Sequence, residues 1–190
     1  MRRIAVIVLL LAATGACAGD SPPPTSAPQP TTTGAGRGAA LPSTTPWPSG
    51  ITAPAATEAQ SIDETVDLQV GDRTITAEIA DEAYEIRTGL MFRDSLAEDA
   101  GMIFLLQAPQ SRGFWMKNTR VPLSIAYMNR LGAATFEVVA IRDMEPCRTQ
   151  DCPGYPPEPT GTAYNSALEV NEGVLADAGV KAGDRITVRE

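Results

Sequence analysis

The densest run of chemically capable side chains is Phe114-Trp115-Met116-Lys117-Asn118-Thr119. On a strand, alternate residues share a face, so Trp115 and Lys117 fall together, opposite Phe114 and Met116. An indole offers a flat apolar surface to a sugar ring, a base or a cation. Lys117, Asn118 and Thr119 add hydrogen-bonding groups at one end of it. The competing reading makes Trp115 a core residue and Asn118-Thr119 a turn. Arg87 and Arg93 flank Thr-Gly-Leu-Met-Phe. Two guanidiniums at that spacing could clamp a carboxylate or phosphate. They equally suit a helix end, for Arg87, and an ion pair with Asp94 or Asp99, for Arg93. Glu169 lies on a strand face opposite Leu168 and Val170. With a second acid or with Arg87 it could serve glycoside-type hydrolysis, which uses paired carboxylates and needs no histidine.

Composition removes several other chemistries. The chain of 190 residues has no histidine, so Ser-His-Asp and Cys-His catalysis and histidine-ligated metal sites are out. A net charge of −8 argues against sequence-independent binding to nucleic acid, which needs many cations against the phosphates. No Gly-rich phosphate loop is present. Neither a cofactor nor a metal is expected.

The cysteines number three. Cys147 and Cys152 lie close together in Cys-Arg-Thr-Gln-Asp-Cys. In an exported protein that spacing reads as a disulfide closing a small loop. The alternatives are weaker. Two cysteines without histidine make a poor zinc site, and the spacing is not the Cys-x-x-Cys of oxidoreductases. The third, Cys17, is left with its own task.

Residues 1–17 read as an export signal. Arg2 and Arg3 supply the positive end, and Ile4 to Ala13 is an apolar run too short to span a bilayer. Gly15-Ala16-Cys17 resembles the end of a bacterial lipobox, with Cys17 as the lipidated terminus, although Thr14 stands where Leu is usual. Ordinary secretion, with cleavage after Ala18, is the alternative, and twin-arginine export is a weaker third. Lipidation would hold the protein on the outer face of a membrane without a spanning segment. Residues 18–60 carry nine of the sixteen prolines and only three charges, Asp20, Arg37 and Glu58. Such a stretch buries too little to offset its ordering entropy, so it is expected to be a disordered stalk. Trp47, between two prolines, is read as a linker aromatic rather than a docking motif. The Thr and Pro content also permits O-glycosylation.

Residues 61–190 are the folded part, with 12 Lys+Arg against 21 Asp+Glu. Val66 to Val70 and Arg73 to Ala80 alternate around Gly71-Asp72 and predict a hairpin. Asp81 is placed to cap a short helix carrying Ala83, Ile86 and Leu90 on one face, with Gly89 as its stop. Gly101 to Leu106 predicts a buried strand, and Arg112 to Lys117 another. Leu123 to Met128 and Ala134 to Arg142 predict a second hairpin. Ala163 to Val170 is a strand, Asn171 caps a short helix ending at Gly179, and Arg185 to Arg189 closes the chain as a strand. About eight short strands and two short helices predict a mainly β barrel or sandwich.

Several of these segments, taken in order, carry a family resemblance. Arg87-Thr88-Gly89-Leu90-Met91-Phe92-Arg93, Gly101-Met102-Ile103-Phe104, Phe114 to Thr119, Pro122-Leu123, Leu168 to Gly173 and Gly183-Asp184 resemble domain of unknown function 192 (DUF192). The similarity runs from about Val66 to Val188. It implies a small, mainly β single domain, often exported in bacteria, and supplies no activity. One departure stands out. Ser124 occupies a place where the family usually has Asp, which puts in doubt any role needing that carboxylate.

Two functions follow as expectations. The first is a non-enzymatic envelope module that binds a saccharide, a cell-wall fragment or an envelope protein. Its ligand contacts would come from Arg87, Arg93, Trp115, Lys117, Asn118, Thr119 and Glu169. The second is a histidine-free hydrolase using Glu169 and a second acid.

Overall fold

The computed structural model describes residues 56–189. Residues 1–17, including Cys17, and almost all of the 18–60 segment, including Trp47, lie outside the described residues. Among the described residues the nine strands are β1 (Thr65–Val70), β2 (Arg73–Ala80), β3 (Ala100–Gln110), β4 (Phe114–Trp115), β5 (Leu123–Arg130), β6 (Thr135–Met144), β7 (Gly154–Tyr155), β8 (Tyr164–Asn171) and β9 (Arg185–Val188). The helices are α1 (Ala83–Thr88) and α2 (Val174–Asp177). Seven strands close a barrel in the order β1-β2-β3-β8-β5-β6-β9, with β9 returning to β1. β2 and β3 run parallel, joined through α1, and the other barrel pairs are antiparallel. β4 and β7 form a separate two-stranded ribbon. The expected mainly β architecture is therefore a barrel.

Alternation fills the barrel. One apolar cluster takes Leu68, Ile75, Ile103, Leu168, Ala126, Phe136 and Ile186, one from each of the seven strands. A cluster fed by every strand of a closed sheet is its interior. Val174 and Leu175 of α2, with Ala178, join that cluster, so α2 packs onto the interior. The β1–β2 turn lies close against it. Gly71 has φ +59°, and a Cβ there would meet the Ala178 carbonyl oxygen at 2.1 Å. Both the left-handed backbone and the close approach require glycine.

The outer face of half the barrel is also buried. Ala80, Met102, Phe104, Ala167, Leu123, Ile125, Tyr127, Ala140 and Met144 face outward and form a second apolar cluster with Leu90, Met116 and Val121. These last three come from the segments between β2 and β3 and between β3 and β5, which roof the sheet. Strands buried on both sides read as nearly unbroken apolar runs, as Met102 to Leu106 and Ile125 to Met128 do.

Local details correct three expectations. α1 is capped by Glu82, not Asp81. The Glu82 side chain accepts the backbone N–H of Glu85, and the Glu85 carboxylate reaches back to the N–H of Glu82 at 3.2 Å. That reciprocal pair satisfies two otherwise orphaned donors. Asn171 does not cap α2. Its amide donates to the carbonyls of Leu96 and Ala97, and Gly173 at φ 86° begins the helix. The strand expected over Arg112 to Lys117 shrinks to Phe114–Trp115. The fold also reaches back to Gln60, whose amide donates to the carbonyls of Glu85 and Gly89.

Candidate functional site

The β4–β7 ribbon separates the aromatic residues as alternation dictates. Phe114 turns inward, with ring centroids 4.9 Å from Phe104, 6.0 Å from Tyr127 and 6.2 Å from Tyr164. The Tyr127 hydroxyl donates to the Tyr155 carbonyl, and the Tyr164 hydroxyl donates to the Arg112 carbonyl at 2.6 Å. Burial holds both phenols well above the usual tyrosine range, so both stay neutral. The ribbon is thus fixed to the barrel strands β3, β5 and β8 by an aromatic cluster with satisfied hydroxyls.

Trp115 turns the other way and is 46% exposed. The Lys117 ammonium lies 5.6 Å from the centre of its ring, within cation–π range, and 3.4 Å from Gln150 Oε1. The disulfide between Cys147 and Cys152 closes the loop that carries Gln150. Cys147 bridges to Lys117 and Thr119, and its N–H donates to the Thr119 carbonyl at 3.1 Å. The bridge therefore anchors the loop beside Lys117.

The remaining candidates have varied surroundings. Thr119 is buried, and its N–H closes a turn to the Met116 carbonyl at 3.0 Å. Asn118 takes a left-handed backbone with φ 57°. Arg87 sits in the last turn of α1, and its side chain is engaged. Arg93 pairs with Glu78 rather than with Asp94 or Asp99. Its two terminal nitrogens lie 2.5 and 2.7 Å from the two Glu78 oxygens, and one donates to the Gln60 carbonyl. Asp94 pairs instead with Arg120 at 2.6 Å.

Glu169 occupies the outward face of β8 as its alternation with Leu168 and Val170 predicts, but that face is roofed. Met102 on β3 and Ile125 on β5 are its register partners, and it is 4% exposed. Burial alone pushes its carboxyl up to about 8. A Cβ at Gly101 would meet the Glu169 carbonyl oxygen at 2.7 Å, which shows how closely β3 approaches β8 here.

Ser124 is buried and links two elements. Its hydroxyl accepts the Gly173 N–H at 3.0 Å and donates to Asp143 Oδ1 at 2.5 Å. The hydroxyl thereby joins Asp143, its register partner on β6, to the turn before α2.

Reasoning from the sequence missed a cavity of about 240 Å³ beside Asn118, lined also by Phe92, Asp94, Arg120 and Arg148. These residues come from three loops far apart in the chain. Arg120, two residues beyond Asn118, and Arg148, beside Cys147, are the hints the sequence held. No cluster of side chains suited to a metal ion occurs among the described residues.

Comparison with known proteins gives a family and a fold. The DUF192 family, described as "Uncharacterized ACR", matches residues 66–188. No curated protein matches the chain. A crystal structure of a protein of unknown function from Novosphingobium aromaticivorans is similar, with 30% identity and a TM-score of 0.55. The match covers 70% of this chain and 93% of that one. A second, from Sinorhizobium meliloti and described as a "putative transcription regulator", has 26% identity and a TM-score of 0.54. It covers 65% of this chain and 92% of that one.

Proposed function

Because the chain belongs to the DUF192 family, whose description assigns no activity, we propose its function from its own surface: a non-enzymatic module that binds saccharide through Trp115 and Lys117. The observation that carries this reading is the half-exposed indole on a ribbon anchored by buried aromatics. A flat apolar ring stacks on a sugar face, and fixing it in advance lowers the ordering cost of binding. Lys117 and Gln150 supply hydrogen-bonding groups beside the ring. Lipidation at Cys17 and a stalk over residues 18–60 would hold this surface off a membrane, where a cell-wall fragment is the saccharide within reach. The disulfide fits an oxidising compartment, in keeping with export.

Hydrolysis by Glu169 is the weaker reading. A general acid must reach the glycosidic oxygen, and Glu169 is roofed between Met102 and Ile125. Transcription regulation, the role printed for the Sinorhizobium protein, gains no support here through direct contact with DNA phosphates, which a net charge of −8 disfavours.

A thermal-shift screen of saccharides tests the proposal. A ligand at 100 times its dissociation constant adds about 2.7 kcal/mol of stability. The expected result is a shift with a cell-wall oligosaccharide that disappears in Trp115→Ala. A shift that survives in Trp115→Ala, or no shift with any saccharide, would count against it.

A further inference from the structure

We infer that the cavity formed by Phe92, Asn118, Arg120 and Arg148 is a binding site for a ligand carrying a single carboxylate. This site is distinct from the Trp115 surface and does not rest on that reading. Among the described residues, Phe92 and Asn118 are the two non-glycine residues with positive φ, at 64° and 57°, and both line the cavity. The Phe92 N–H donates to the Asn118 carbonyl at 2.8 Å, so the two unusual backbones hold each other. Left-handed backbone is tolerable for asparagine and costs more for a bulky residue such as phenylalanine. Such strain persists where surrounding structure imposes it, often at ligand sites.

The side chains define the ligand. Arg120 lies 5.8 Å from the Phe92 ring centre and pairs with Asp94, so its guanidinium is held in place. Arg148 makes no ion pair or side-chain hydrogen bond among the described residues. It sits beside Cys147, whose disulfide fixes the start of its loop. An unpaired guanidinium fork fits a carboxylate with two parallel hydrogen bonds. The Asn118 amide can add another, and the Phe92 ring gives an apolar wall. Arg120 and Arg148 against Asp94 leave one net positive charge in the lining. One carboxylate balances that charge, whereas a phosphate dianion would exceed it and meet Asp94. The volume is below the ~300 Å³ at which pockets for drug-sized ligands begin, so the bound group is a small acid or the acidic end of a longer chain.

The test is an NMR titration of the full chain with N-acetylalanine, N-acetylalaninamide and inorganic phosphate. The acid is expected to shift the amide signals of Phe92, Asn118 and Arg148 saturably, and the amide is expected to leave them in place. Arg148→Gln should weaken binding about tenfold or more, the loss expected for a hydrogen-bonded charge. Asn118→Gly, which relaxes the backbone, should keep the fold and also weaken binding. Lys181→Gln removes the same charge elsewhere and should change nothing. No saturable shift with the acid, equal weakening by Lys181→Gln, or tighter binding of phosphate than of the acid would each overturn the proposal.

Discussion

Arg93 and Glu78 meet in a two-pronged ion pair, each terminal nitrogen donating to its own carboxylate oxygen, with side chains only 14% and 20% exposed. Arg93 thereby ties the loop after α1 to β2, and through the Gln60 carbonyl it ties down the start of the fold. Removing one partner of such a pair strands the other charge. Arg93→Ala should cost about 2–4 kcal/mol in urea unfolding, below the fully buried range because some solvent reaches the pair. The double change with Glu78→Gln should cost less than the two single losses added together. A loss under about 0.5 kcal/mol for Arg93→Ala, the level of an ordinary surface change, would contradict this structural role.

Glu169 predicts a pH dependence of stability. Its carboxyl is raised from 4.5 to about 8 by burial. Below pH 4.5 it is protonated in both the folded and unfolded chain and contributes no difference. Between pH 4.5 and 8 the unfolded chain releases the proton and the folded chain keeps it, so stability falls as pH rises. The loss is on the order of 4 kcal/mol by the top of that window. Glu169→Gln keeps the shape without the titration, so its stability should lack this fall over the same range. Chemical unfolding at several pH values checks this, and parallel slopes in the two proteins would contradict it.

The Cys147–Cys152 bridge closes a short loop. Loop-entropy arguments give it about 2 kcal/mol. For a domain of this size, reduction should lower the melting temperature by about 6–10 °C. Melting with and without reductant, with the free thiols counted, measures the effect. An unchanged melting temperature after full reduction would show that the fold alone holds the loop.

Much of the barrel is legible because its alternation is strong. Val66 to Val70, Arg73 to Ala80 and Ile186 with Val188 each place apolar residues on one face, and those residues line the interior or pack against it. The helix starts are less legible because several acids compete for them. Glu82 wins over Asp81 through its exchange with Glu85, and Asn171 is taken by the Leu96 and Ala97 carbonyls. The roof is not legible at all, since it depends on which loops fold back across the sheet. Alternation therefore fixes which way Glu169 points but not that Met116, Leu90 and Val121 roof that face. The cavity fails for the same reason. Phe92, Asn118 and Arg148 meet only through loop geometry that no periodicity encodes.

Trp115 is the proposed contact for saccharide. The chain has two tryptophans, so Trp47→Phe leaves Trp115 as the sole indole emitter. The most direct measurement is the fluorescence of that variant during titration with an N-acetylglucosamine tetrasaccharide. A saturable blue shift is expected as the half-exposed indole is covered, and NMR of the ligand should show binding lost when Trp115 is also changed to Phe. Emission that stays constant while NMR shows the saccharide bound would place the contact elsewhere, and no binding by either readout would contradict the saccharide reading itself.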